Sequence, residues 1–169
     1  MTSIEAGGWF REASRWYGRA LSMLLVFSVA ILVVPVSLQI FSRFTEIIPR
    51  YIWTEEMARF LFIWSIMLGA NLGVREAAHF TVDLWPPLGP RGEAALGLVS
   101  GVFILVFAWV FLWYGIEFTE FALNRISELA ELPLWLIHVA WPITGLSWIL
   151  FQGEHMYDHL RVLFGQATS

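Results

Sequence analysis

The residues able to do chemistry are few, and they sit in short segments. Four histidines, His79, His138, His155 and His159, raise the possibility of haem or metal ligation. A bis-histidine haem needs two imidazoles at one depth on facing helices. In an up-and-down bundle His138 lies toward the outer side and the other three toward the inner side, so His138 has no partner. His155 and His159 stand at i, i+4 beside Glu154 and Asp158, a spacing that suits a metal ion or a solvated helix end. Glu55 precedes Arg59 at i, i+4, the favourable order for a helical ion pair, and Glu56 adjoins it. With no cysteine there is no disulfide, thiolate nucleophile or iron–sulfur ligand. All ten basic residues are arginine, which excludes a Schiff-base lysine and a P-loop. No nucleophile stands beside a base. The chain is read as non-enzymatic, with no catalytic, metal or cofactor site.

The elements that must hold these residues are membrane helices. Of 169 residues 58% are hydrophobic and 14% charged, against about 25% charged in a soluble domain. A soluble globule of this size cannot hide so much apolar surface. The mean hydropathy of +0.66 agrees. A net charge of −4 argues against nucleic acid as a partner.

Charged residues punctuate four uncharged stretches. Ala20 to Ser42, Ala94 to Ile116 and Leu132 to Gly153 hold 22 or 23 residues each, enough to cross a hydrocarbon core of ~30 Å. Phe60 to Val74 holds only 15, too few alone, so its helix must extend through Glu55, Glu56 and Arg59 or through Arg75 and His79. The expected fold is an all-α integral membrane protein and a single membrane domain over 1–169. Its four transmembrane helices fall near 20–42, 55–77, 94–116 and 132–153. Ahead of them Arg11, Arg15 and Arg19 form an i, i+4, i+8 stripe beside Trp9, Phe10, Trp16 and Tyr17. That pattern predicts an amphipathic interfacial helix over 1–19, its arginines toward anionic lipid headgroups. Six arginines fall on the side of the two termini and four on the other, which puts both termini in the cytoplasm. The acidic loop carrying Glu117, Glu120, Arg125, Glu128 and Glu131 then lies outside.

Small residues mark where helices approach closely in lipid. Ser65, Gly69, Gly73 and Ala77 recur every four residues on the second helix, and Ala94, Gly101, Ala108 and Gly115 every seven on the third. Phe103, Phe107, Phe111, Tyr114 and Phe118 form a separate aromatic stripe suited to lipid or a large protein partner. Pro142, inside the fourth stretch, removes a backbone donor and crowds the His138 carbonyl, so a kink is expected there.

The second helix carries a resemblance. Trp53-Thr54-Glu55-Glu56-Met57-Ala58-Arg59, then Trp64, Leu68-Gly69-Ala70, Arg75 and His79-Phe80-Thr81-Val82-Asp83 resemble the small, DctQ-like membrane subunit of TRAP transporters. These are the tripartite ATP-independent periplasmic transporters of bacteria and archaea. Ser127, Leu129, Leu132-Pro133-Leu134-Trp135, Pro142-Ile143 and Gly145 fit as well. The resemblance implies a multi-pass protein of the cytoplasmic (inner) membrane in a sodium-coupled uptake system for a small organic acid. It implies two partners, a large multi-span subunit that moves the substrate elevator-fashion and a periplasmic substrate-binding protein. Trp53, Glu55, Glu56, Arg59, Ser65, Gly69, Gly73, Arg75 and His79 would then face the large subunit or each other. Glu117, Glu120, Arg125, Glu128 and Glu131 would help dock the binding protein. The competing reading is a haem- or quinone-binding anchor of a redox complex using His79, His138 or His155; an autonomous four-span transporter lacks an intramembrane acid.

Overall fold

The computed structural model describes residues 3–45, 49, 51–76 and 89–164, and the described residues are helical apart from short connections. Among the described residues five helices follow in order: α1 (Ser3–Phe44), α2 (Trp53–Arg75), α3 (Pro90–Ala122), α4 (Trp135–His138) and α5 (Ala140–Leu163). His79, Ala77, Trp85 and the Phe80–Asp83 segment lie outside the described residues.

α1 is a single helix of 42 residues, about 63 Å long at 1.5 Å per residue. The expected interfacial segment and first span are therefore continuous. Neither glycine nor proline falls between Arg19 and Ser42 except Pro35, which the helix passes through at the loss of one backbone bond. α2 spans 23 residues, taking in Glu55, Glu56 and Arg59 at one end and Arg75 at the other, as its short apolar stretch requires. Gly89 precedes α3, and Pro90 opens it, where a missing N–H is harmless.

The fourth apolar stretch is divided. One turn, α4, is separated at Val139 from α5, which continues ten residues beyond the expected end at 153. Pro142 stands third in α5, where it can donate no backbone bond to the His138 carbonyl four residues back, and the helix is interrupted at Val139, whose own backbone stays helical at φ −63° and ψ −18°. Three described helical segments are long and apolar enough to cross a membrane: Arg11–Phe44, Trp53–Arg75 and Arg91–Ala122. α5 has sufficient length, but its second half carries Glu154, His155, Asp158, His159 and Arg161.

α2 and α5 form the middle of the fold, with α1 packed on α2 and α3 packed on α5. Leu21, Leu68, Val74 and Phe151 are the buried centre, flanked by Leu25, Trp64, Leu72, Ile104 and Trp148. The seven-residue stripe of α3 is consumed here: Ala94, Gly101, Ala108 and Gly115 are all buried. Gly145 of α5 meets this face so closely that a Cβ there would come within 2.5 Å of the Leu112 nitrogen and 2.7 Å of the Ala108 carbonyl oxygen. The aromatic stripe points the other way, with Phe103, Phe107, Tyr114 and Phe118 exposed and Phe111 half-buried against Trp141 and Trp148.

Candidate interaction site

α2 organises the end of the bundle at which it starts. Glu56, in its first turn, is buried at 7% exposure. Its Oε2 accepts hydrogen bonds from Ser127 Oγ at 2.6 Å, Ala130 N at 2.6 Å and Leu129 N at 3.2 Å. A buried carboxylate is tolerable only with such donors, and successive backbone N–H groups make a ready anion nest. The loop between α3 and α4 closes around it. Ser127 N donates to Leu132 O at 2.8 Å, Leu132 N to Ser127 Oγ at 3.2 Å, and Leu134 N to Arg125 O at 3.0 Å. Glu131 takes φ 53°, in the left-handed region, to complete the turn. Trp64, two turns along α2, donates from Nε1 to Leu136 O at 2.9 Å and so holds α4.

α3 runs to Ala122, six residues past the expected end at 116, so Glu117 and Glu120 stand on its last turns and only Arg125, Glu128 and Glu131 are in the loop; all five are exposed, while Ser127 is buried. The loop is thus anchored from within by one carboxylate and shows carboxylates outside.

The other α2 residues divide. Trp53 is 44% exposed. Glu55 and Arg59 are exposed and pair at 3.6 Å. Ser65 is half-buried against α1, sharing a 2.9 Å hydrogen bond with Ser28, which itself donates to Leu61 O. Gly69 and Gly73 are half-buried, and a Cβ on Gly69 would meet nothing within 4 Å. The four-residue stripe of α2 is thus divided, Ser65 packing on α1 and Gly69 left open. Arg75 is half-buried, with its guanidinium over Gly18 of α1. The Arg75 carbonyl lies 3.0 Å from His155 Nε2, which donates to it.

At that opposite end α1 and α5 are clasped. Arg11 pairs with Asp158 and stands 3.9 Å from Glu154, Ser14 Oγ donates to Glu154 at 2.8 Å, and Tyr17 and Ser147 hydroxyls are 2.6 Å apart. Of the arginine stripe, Arg11 is engaged in this way, whereas Arg15 and Arg19 are exposed, Arg19 stacking on Trp16. The four polar residues near the α5 end that suggested a metal site are used in helix contacts: Glu154 and Asp158 with α1, His155 with α2, and His159 against Gly97 of α3. His138 Nδ1 donates to Leu134 O at 2.6 Å, one turn back on its own segment.

Sequence reasoning missed the Glu56–loop contact, although Glu56, Trp64, Ser127 and Leu129 were all among the residues of the resemblance. Their shared membership in one pattern was the available signal.

Long apolar helices, polar groups spent on fastening helices together and an anchored loop bearing exposed charge define a helical membrane subunit. Residues 32–162 match the family described as tripartite ATP-independent periplasmic transporters, DctQ component. A TRAP transporter small permease protein of Haemophilus influenzae is 30% identical over 140 residues, covering 80% of this chain and 84% of that protein. The sialic acid TRAP transporter small permease protein SiaQ of Vibrio cholerae is 24% identical, over 70% of this chain and 69% of SiaQ. The isethionate TRAP transporter permease protein DctMQ of Oleidesulfovibrio alaskensis is 27% identical over 55% of this chain and only 15% of its own length. This chain belongs to the DctQ family: it is a TRAP transporter small permease subunit of the inner membrane, a transport component and not an enzyme. Such subunits work with a large membrane subunit and a substrate-binding protein. Family membership does not favour the redox-anchor reading.

Proposed function

We propose that this small permease subunit is a stationary brace for the large membrane subunit and a part of the seat for the periplasmic binding protein, in sodium-coupled uptake of a small organic acid. The observation that carries the reading is the loop latched by Glu56. A docking surface needs charged groups held in fixed positions, and Glu128 and Glu131 are exposed on a turn whose backbone is bound from inside.

In this reading the chain spans four times, with α4 and α5 supplying the fourth crossing and both termini in the cytoplasm. The charged second half of α5 continues inward beside the N-terminal half of α1, where Arg11 neutralises Asp158. The arginine stripe then sits at the inner headgroups, and the latched loop faces the periplasm. α2 meets the large subunit through Trp53, the Glu55–Arg59 pair, Gly69, Gly73 and the region of Arg75 and His79. Its charged ends suit protein better than lipid, and the open space at Gly69 accepts a neighbouring helix.

Charge reversal at Glu128 and Glu131 tests the docking role. Uptake supported by the binding protein should fall several-fold while the subunits still assemble; undiminished uptake removes the docking role.

A further inference from the structure

The last turn of α2 reaches across to α1 through one long side chain. Arg75 is half-buried, and its guanidinium occupies a notch that exists because residue 18 is glycine: a Cβ there would collide with Nε, Cζ and Nη1 of Arg75. Arg15 precedes Gly18 by three residues and Arg19 follows it by one, and both are exposed. Residues three apart on a helix are surface neighbours, with about 5–6 Å between Cβ atoms, so the Arg15 side chain stands within reach of the Arg75 guanidinium. Like charges are thus gathered in the crevice between α1 and α2. Among the described residues none of these three arginines forms an ion pair. Glu154, the acid fastened to this part of α1, is engaged by Ser14 and Arg11. A half-buried guanidinium beside other cations is costly without an anion, and its planar fork fits a phosphate through two parallel hydrogen bonds.

The depth of the cluster points to the source of the phosphate. Arg19 is the last charge before the apolar run of α1, and Arg75 is the first after that of α2, so both stand at one membrane boundary. Trp16, on which Arg19 stacks, and Tyr17 are the aromatic types that belong at that level. From Arg15 and Arg19 the same flank of α1 continues through Ser22, Val26 and Val33, all exposed, toward the centre of the bilayer. Charge at the boundary with apolar surface beneath it follows the order of phosphate and acyl chains in a phospholipid. At about 3.6 residues per turn Arg75 lies across α2 from Gly73, so the crevice is separate from the open glycine face. We propose that Arg75, Arg15 and Arg19 bind the phosphate of an anionic phospholipid in the crevice between α1 and α2, its acyl chains lying along Val26 and Val33. Basic pockets between membrane helices hold such headgroups, whereas a zwitterionic lipid would bring its ammonium among the same three cations. The site requires neither the brace nor the docking role.

The test is native mass spectrometry of the purified full chain in a nonionic detergent, titrated with phosphatidylglycerol or phosphatidylethanolamine of identical acyl chains. The first phosphatidylglycerol should bind roughly five- to thirtyfold more tightly, as one or two arginines at a headgroup would give. Arg75→Gln and Arg15→Gln should each reduce that preference several-fold. Gly18→Leu, which fills the notch and keeps all three charges, should reduce it too. Arg43→Gln, at the far end of α1, should keep the wild-type pattern. Equal binding of the two lipids by the wild type, or a preference that survives Arg75→Gln at full strength, overturns the proposal. Excess inorganic phosphate should leave the lipid bound; displacement by it assigns the arginines to a free anion and overturns the lipid site. Photo-crosslinking in cells from Ser22→p-benzoylphenylalanine separates the remaining occupant: a lipid adduct supports the site, and a protein adduct overturns it by assigning the crevice to a subunit interface.

Discussion

Glu56 and Ser127 are 71 residues apart in sequence and joined by a 2.6 Å hydrogen bond from the serine hydroxyl to the carboxylate. The bond connects the first turn of α2 to the loop between α3 and α4, and two backbone N–H groups of that loop complete the carboxylate's coordination. A charge this deep at a helix start has one economical role, which is to replace water for donors that a tight turn leaves unpaired.

Removing the carboxylate should therefore free the loop without unfolding the bundle. In Glu56→Ala, hydrogen exchange at the Leu129 and Ala130 amides should speed up at least about tenfold, as expected for loss of a charged acceptor. Exchange in the middle of α3 and α5 should stay as in the wild type. Unchanged exchange at the two loop amides contradicts the latch.

Two glycines should respond in opposite ways. Gly145→Ala places a methyl against the backbone of α3 at Leu112 and Ala108, which cannot yield as a flexible side chain can. It should cost about 1–3 kcal/mol, read as a lowered thermal midpoint in detergent. Gly69→Leu, where a Cβ meets nothing within 4 Å, should leave that midpoint within experimental scatter yet reduce co-purification with the large subunit. If Gly69→Leu assembles as well as the wild type, that face of α2 is not the brace.

Those two positions also mark how far the sequence could be read. Charges bounding apolar runs located α2 to within two residues at each end, whereas α3 runs four residues earlier and six later than its uncharged stretch, through Glu93, Glu117 and Glu120. The seven-residue repeat on α3 identified a packing face correctly, since only small residues admit the backbone of α5. The similar four-residue repeat on α2 packs inside the chain at Ser65, against Ser28 of α1, but not at Gly69; periodicity reports a face and not its occupant. The interruption at Val139 falls where the sequence predicts a kink, since Pro142 leaves the His138 carbonyl without its helical donor. The partner of Glu56 was out of reach, since nothing local to α2 specifies a turn 71 residues away.

The clasp between α1 and α5 should matter little for stability. Arg11 and Asp158 are each 46% exposed, and ion pairs of that kind contribute about 0–1 kcal/mol and weaken with salt. Asp158→Asn should move the thermal midpoint only slightly at low ionic strength and not at all in ~1 M salt, where the screening length is about 3 Å. A large, salt-insensitive loss would mean that the N-terminal half of α1 is held mainly by this residue.

The central claim is that the chain works as a brace within a larger assembly. Affinity capture of the tagged full chain from native membranes, solubilised in mild detergent and analysed by mass spectrometry, tests it most directly. The account predicts a large multi-span membrane protein recovered in near-equal amount, diminished when Gly69→Leu or Glu55→Arg is captured instead. Recovery of the chain alone, together with substrate uptake by the chain alone in liposomes, would contradict it.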